Sequence, residues 1–282
     1  MIQRRAYAKI NWSLAVLGQR PDGYHMLETL MQPISLYDEL FIEPSGTFSF
    51  SCDCVDVPKD EENLVVKAAQ RYAKQSGKDI VPWSVVLKKQ IPSQAGLGGG
   101  SSDAAAMLGI MQETFQALPE EDLCEVALVL GADVPFCMQA SAMQCGGIGE
   151  IMHPIASKSY EILLVQPKEG ISTGVLFHAL QHEQHDPNIA HMNTQKMRQA
   201  LETGCFEDVR DQTCNDLLPA ACRFVPAIRV IIERLYTEGA QFASMSGSGS
   251  CCFGVFESQQ KCLQAKKAFE DMPFCQCVQS RM

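Results

Sequence analysis

A chain of 282 residues, 46% hydrophobic and 20% charged, can bury a substantial core as one large domain or two modest ones. Its net charge of −10, with no basic run, argues against a nucleic-acid-binding surface. No apolar stretch reaches the length of a membrane span, and Met1-Ile2-Gln3-Arg4-Arg5 opens no signal-peptide core, so a soluble, cytoplasmic protein with no membrane partner is expected.

Ala6 to Leu17 alternates as a strand, with Lys9, Asn11 and Ser13 on one face and Ile10, Trp12 and Leu14 on the other. By spacing alone, Lys9 lays its stem on apolar surface and carries its ammonium to solvent. Gly18 to His25 is turn-rich, with Pro21-Asp22-Gly23 setting a tight reversal. Tyr24 and His25, which follow it, suit stacking on and hydrogen-bonding a base; a tyrosine packed on its own hairpin is the plainer reading. Leu36–Glu43 and Thr47–Ser51 read as short strands, Asn63–Gln75 as an amphipathic helix stopped by Gly77, and Trp83–Lys89 as another strand.

Ile91-Pro92-Ser93-Gln94-Ala95-Gly96-Leu97-Gly98-Gly99-Gly100-Ser101-Ser102-Asp103 then joins that strand to a predicted helix over 103–115, with Ser101 or Ser102 as its N-cap. Four glycines exceed what a turn needs. Strand, glycine loop and helix N-terminus together predict an anion site, most simply for phosphate. It is not the P-loop, which needs a lysine after the last glycine, nor the dinucleotide fingerprint, whose sixth position is here Ser101. Glu120–Leu130 reads as a helix ending at Gly131, and Asp133 follows on a backbone stiffened by Val134-Pro135. That suits a fixed catalytic carboxylate or a simple turn.

The texture changes at residues 153–159, which predicts a division into residues 1–155 and 156–282. Beyond it come a strand (Tyr160–Gln166), helices near 174–181, 194–203 and 226–238, and strands flanking Ser246-Gly247-Ser248-Gly249-Ser250. A helix (Gln259–Glu270) and a strand (Phe274–Gln279) close the chain. The Ser-Gly repeat reads as a hairpin tip, or as a set of donors for a phosphate. The pattern is α+β, a small sheet with helices on one side. Thirteen scattered cysteines, with no C-x-x-C pair, form neither a zinc framework nor a secreted disulfide scaffold and are expected to pack as free thiols. His178, His182 and His185 fall at helical spacing, but their polar surroundings indicate a solvated face, and no metal site is predicted.

Pro92-x-x-x-Gly96-Leu97-Gly98-Gly99-Gly100-Ser101-Ser102-Asp103-Ala104-Ala105 resembles the second signature of the GHMP kinases, which include galactokinase and the homoserine, mevalonate and phosphomevalonate kinases. Ala8-Lys9-Ile10-Asn11 resembles their first signature and Met245 to Ser250 their third, in the right order. Arg20 to His25 and Leu130 to Pro135 resemble the branch that acts on a cytidine diphosphate derivative in the non-mevalonate isoprenoid pathway. The resemblance covers residues 6–256; Cys251-Cys252 departs from the small or β-branched residues expected there.

This resemblance implies an N-terminal α/β domain carrying the phosphate loop and a C-terminal ferredoxin-like domain. It implies ATP-dependent phosphorylation of the 2-hydroxyl on the erythritol part, with Asp133 as general base and Lys9 beside it. Pro92, Ser93, Gln94, Ala95, Gly96, Leu97, Gly98, Gly99, Gly100, Ser101 and Ser102 would cradle the ATP phosphates, and Asn63 and Leu64 would hold adenine. Cytosine would lie between Tyr24 and Phe177, His25 would bond its edge, and Asn11 and Thr173 would line the substrate side. Mg2+ would accompany ATP, with Ser101 the candidate contact and no carboxylate named as ligand. Two competitors stay open: a homoserine- or mevalonate-type kinase, against which Tyr24-His25 argues, and a non-enzymatic nucleotide-binding module, against which Lys9 and Asp133 together argue.

Overall fold

The computed structural model describes every residue except 21–22, 24, 140, 183–193, 211 and 213, and only the backbone of 181–182. Tyr24 and His185, and the side chain of His182, therefore lie outside the described residues. The chain forms two compact units, neither of them a single stretch. The first comprises Met1–Ala8, Leu36–Ser93 and Gly98–Ala140; the second comprises Lys9–Ser35, Gln94–Leu97 and Ser141–Met282. Strands β1 (Ile2–Gln19) and β2 (His25–Pro44) each give one end to each unit, and both outrun their sequence-predicted lengths.

In the first unit, β3 (Ser49–Cys52) runs parallel to β4 (Trp83–Lys88), and β4 pairs antiparallel with the later part of β2, Glu39 opposite Lys88. Trp83, Val85 and Leu87 alternate inward along β4. They share a core with Leu40 and Ile42 of β2 and with helices α1 (Leu64–Ser76), α2 (Gly99–Phe115) and α3 (Glu120–Leu130). Helix α2 is buried almost continuously from Ser102 to Met111, as a helix hydrophobic on all sides must be. A short helix, α4 (Val134–Cys137), anchors its Val134 in the same core.

In the second unit, β5 (Met143–Gly146) pairs antiparallel with the early part of β2, Thr29 opposite Cys145, and β6 (Ile151–Pro154) continues from it. Helices α5 (Thr173–His182), α6 (Thr194–Thr203), α7 (Leu218–Phe224), α8 (Ala227–Thr237) and α9 (Gln259–Lys266) belong here too. A separate antiparallel sheet contains β7 (Glu161–Gln166), β8 (Phe242–Met245), β9 (Cys252–Phe256) and β10 (Phe274–Gln279), in the order β10-β7-β9-β8. Numbered within that sheet the order is 4-1-3-2, the split β-α-β of a ferredoxin-like unit. Leu163, Val165 and Cys252 pack against Ile228, Ile231 and Phe269, while Trp12, Phe206, Phe242 and Phe253 form an aromatic cluster. The fold is α+β.

None of the thirteen cysteines is in a disulfide. Cys52, Cys145, Cys214, Cys251, Cys252 and Cys262 are buried, as expected of thiols used as small apolar groups, but Cys124 and Cys205 are exposed. Burial pushes the Cys214 thiol up to about 12, so it is inert at neutral pH. Cys252 fills core space on β9, which accounts for the departure in the third signature. Among the described residues no helix is long and apolar enough to cross a membrane.

Candidate active site

Helix α2 begins at Gly99, four residues before the predicted start. Its N-cap is Gly98 in a left-handed conformation (φ 71°), not Ser101 or Ser102, which lie inside the first turns. The Ser102 hydroxyl instead donates to Gly99 O (2.8 Å). Ser102 N makes the first helical bond, to Gly98 O, so the N–H groups of Gly99, Gly100 and Ser101 precede the ladder. No acidic residue stands in this first turn. The helix start therefore presents N–H donors and the positive end of its dipole, a geometry suited to an anion.

The earlier half of the loop is held from another side. Lys9 N donates to Leu97 O (3.0 Å), Ser246 Oγ to Gly96 O (2.9 Å), Ser250 N to Gln94 O (3.0 Å) and Cys251 N to Ala95 O (3.2 Å). Ser250 Oγ donates to Glu169 O (2.7 Å). Of the donors that suggested a phosphate contact, these of the third signature are engaged by protein carbonyls. In this structure the motif acts as a clamp on residues 94–97.

Lys9 is buried, not snorkelling. Both faces of β1 are covered from Ala8 to Val16, and Lys9 Nζ donates to Asn11 Oδ1 at 2.6 Å. Asn11 Nδ2 donates to Thr29 Oγ1 (2.8 Å), and Asn11 N to Ser246 Oγ (3.2 Å). The structure thus joins two predicted site residues of the first signature, Lys9 and Asn11, to the second and third.

Sequence reasoning missed Asn215. Its buried Nδ2 donates to Met245 O (3.0 Å) and Gly247 O (2.8 Å), and its Oδ1 accepts from Leu217 N (2.9 Å). Its signal was weak: one asparagine in a stretch with no periodicity. Asn215→Ala would leave two carbonyls and one N–H unpaired. At ~1–3 kcal/mol for each unsatisfied buried group, it should lower unfolding free energy by roughly 3 kcal/mol or more in urea titration. An unchanged midpoint would remove Asn215 as a brace.

Asp133 is the N-cap of α4, half-buried, with its carbonyl accepting from Cys137 N (3.0 Å) and no side-chain cap bond. Pro135 and the core contact of Val134 fix that backbone, as the Val-Pro step suggests. Two residues earlier, the position of a Cβ on Gly131 lies 3.9 Å from Ser101 Oγ, which brings the Ser101 hydroxyl to the Asp133 segment. Among the described residues, no cluster of three or more His, Cys, Asp or Glu could hold a metal.

Asn63 caps α1. Its Oδ1 accepts from Val65 N (2.9 Å) and its Nδ2 donates to Pro58 O (2.7 Å). Leu64 Cδ1 lies 3.3 Å from where a Cβ on Gly100 would stand, so this segment borders the start of α2. In the other unit, the His25 and Phe177 rings stack directly, 4.8 Å between centroids and 29° between planes. Thr173 Oγ1 and Ser248 Oγ are hydrogen-bonded at 2.7 Å, tying the start of α5 to the third signature.

The descriptions of the GHMP kinases N-terminal domain and C-terminal domain match residues 63–141 and 197–272. The fold and the loop are those of a GHMP kinase. A 4-diphosphocytidyl-2-C-methyl-D-erythritol kinase of Clostridium botulinum is 39% identical over 275 residues, 95% of this chain and 94% of that relative. One of Chlorobium phaeobacteroides is 37% identical over 276 residues, 96% and 94%. A crystal structure of 4-(cytidine 5'-diphospho)-2C-methyl-D-erythritol kinase superposes with a TM-score of 0.84 at 31% identity, covering both chains completely. A homoserine kinase from Cytophaga hutchinsonii shares the fold alone, with a TM-score of 0.71 at 17% identity over 98% of this chain and 94% of that one. The chain belongs to the 4-diphosphocytidyl-2-C-methyl-D-erythritol kinase family.

Proposed function

We propose that the protein transfers the γ-phosphoryl group of ATP to the 2-hydroxyl of 4-diphosphocytidyl-2-C-methyl-D-erythritol. Family membership along nearly the whole chain carries this reading, and the glycine loop with free donors at the α2 start supports it. The N–H groups of Gly99, Gly100 and Ser101 bind phosphate oxygens, and Ser101 would help hold an Mg2+ ion that would neutralise phosphate charge. Asp133 accepts the proton of the attacking hydroxyl, and the Lys9 ammonium, oriented by Asn11, stabilises negative charge as the hydroxyl becomes an alkoxide. Little covalent work falls to the protein in such a transfer, so rigid positioning of these groups matters most. Asn63 and Leu64 border the adenine. The reaction takes place in the cytoplasm, and the proposed division at 155/156 lies between the two family matches, 63–141 and 197–272.

Phe177 and Tyr24 flank the cytosine, with His25 bonding its edge and Asn11 and Thr173 on the substrate side. His25 stacks on Phe177 with centroids 4.8 Å apart, so in this reading the imidazole leaves that face for the edge of the base when cytosine binds. Loss of a base–aromatic stack costs ~1–3 kcal/mol, so Phe177→Ala should weaken binding of CDP by roughly 5–150-fold. Affinity for an ATP analogue should stay within about twofold. Equal CDP affinity in variant and parent would take Phe177 out of the base site. The function itself is tested by supplying MgATP with a panel of alcohols and following ADP. Turnover with the cytidine substrate and none with homoserine or mevalonate is expected; the reverse pattern would overturn the assignment.

A further inference from the structure

An ion cluster lies against the start of α2, and the catalytic reading above makes no use of it. Lys89, one residue past β4, donates through Nζ to Asp38 Oδ2 on β2 (2.5 Å) and to Asp103 Oδ2 on α2 (2.7 Å). All three side chains are buried, at 8%, 0% and 4% exposure. Asp38 Oδ1 accepts from Gln90 N (2.5 Å) and Ile91 N (2.8 Å), the residues that lead into the glycine loop. A Cβ on Gly99 would stand 3.0 Å from Ile91 Cγ2 and 3.3 Å from Lys89 Nζ, so a side chain there would push both neighbours by a few tenths of an ångström.

Stability does not account for the cluster. Two carboxylates share one ammonium, and Asp103 Oδ1 is buried with no hydrogen-bond partner among the described residues. Burial pushes the Asp103 carboxyl up to about 8, with Lys89 pulling it down and Asp38 pushing it further up. An unfolded aspartate titrates near 3.9, so the folded chain holds this proton more tightly. That contribution to stability is complete below pH ~4 and is lost as pH rises through about 8. Replacing buried ion clusters with neutral groups is often neutral or stabilising.

What the cluster does is geometric. One ammonium joins the entry of the loop, through Asp38 and the N–H groups of Gln90 and Ile91, to its exit, through Gly99 and Asp103. We infer that Lys89, gripped by Asp38 and Asp103, is a positioning residue that aims the N-terminal N–H groups of α2 at the ATP phosphates. The inference rests on the ATP reading above and adds to it a residue set that touches no substrate.

Asp103→Ala cuts the tie, whereas Asp103→Asn keeps an acceptor of the same shape for Lys89. Misplacing a binding group by about 1 Å costs up to 10²-fold, so Asp103→Ala should raise KM for ATP by about tenfold or more. KM for the cytidine substrate and CDP affinity should stay within about twofold, and Asp103→Asn should recover ATP KM to within about threefold with no loss of Tm. The triple variant Asp38→Asn, Lys89→Met, Asp103→Asn carries no buried charge and serves where Asp103→Ala does not fold; it should show the same selective rise. Unchanged ATP KM in a folded variant, or a parallel rise in both KM values, would overturn the positioning role while leaving the kinase assignment intact. Failure of the unaltered protein to bind ATP would overturn both.

Discussion

Asp133→Asn should lower kcat by ~10²-fold or more while leaving KM for both substrates nearly unchanged. The substitution is nearly isosteric, and the backbone of the segment is held independently of the carboxylate. The side chain makes no cap bond to α4, and the cap contact from Cys137 N uses the Asp133 backbone carbonyl, which the substitution retains. Val134 and Phe136 hold the segment by burial, so the amide should occupy the place of the carboxylate. An amide cannot accept the hydroxyl proton at neutral pH, and general-base assistance is worth about 10²–10⁴-fold. A loss confined to kcat is the signature of a group that acts only in the transition state. Steady-state kinetics with ATP and the cytidine substrate, together with a thermal melt, test the claim. Turnover near that of the parent would remove Asp133 from the mechanism.

The motif glycines and the short elements were legible because their signals are local. Gly77 ends α1 with a left-handed φ of 64°, and β10 runs from Phe274 to Gln279 as its alternation predicts. The start of α2 was misplaced because glycine is a poor helix interior residue. In the first turn that cost is small beside the close approach of Gly99 to Ile91 and Lys89, a tertiary fact. Residues 25–35 of β2 were missed because Glu28 and Pro33 interrupt the alternation, and pairing with β5 supplies what local preference lacks. Burial of Lys9 contradicts the snorkelling expected from spacing. The hydrogen bond to Asn11, itself held by Thr29 where β1 and β2 come together, helps make a buried ammonium tolerable. Asn215 and the Asp38–Lys89–Asp103 cluster carry no sequence pattern at all, since each joins residues far apart in the chain.

Gly96→Val should abolish measurable ATP binding, a loss of ~10²-fold or more, while Gly100→Ala changes it by less than about threefold. Both substitutions fall in the same glycine run, so flexibility of the loop cannot explain the contrast; local geometry does. Gly96 has φ 70°, where a β-branched residue is strained by ~1–3 kcal/mol before any contact is counted. A Cβ there would fall on the carbonyl oxygen of Ser246 and 2.8 Å from Gly249 N. Both neighbours are backbone held by hydrogen bonds, Ser246 Oγ to Gly96 O and Gly249 N to Ser246 O, so neither can turn aside as a side chain would. The loop must leave its clamp, and the phosphate donors that follow it move with it. At Gly100 the Cβ meets only Leu64 Cδ1, at 3.3 Å, the far end of a flexible side chain, and the position is already helical. Calorimetry with a non-hydrolysable ATP analogue separates the two, with circular dichroism to verify folding. Normal ATP affinity in a folded Gly96→Val protein, or equal damage from Gly100→Ala, would mean that the clamp on residues 94–97 does not set the phosphate site.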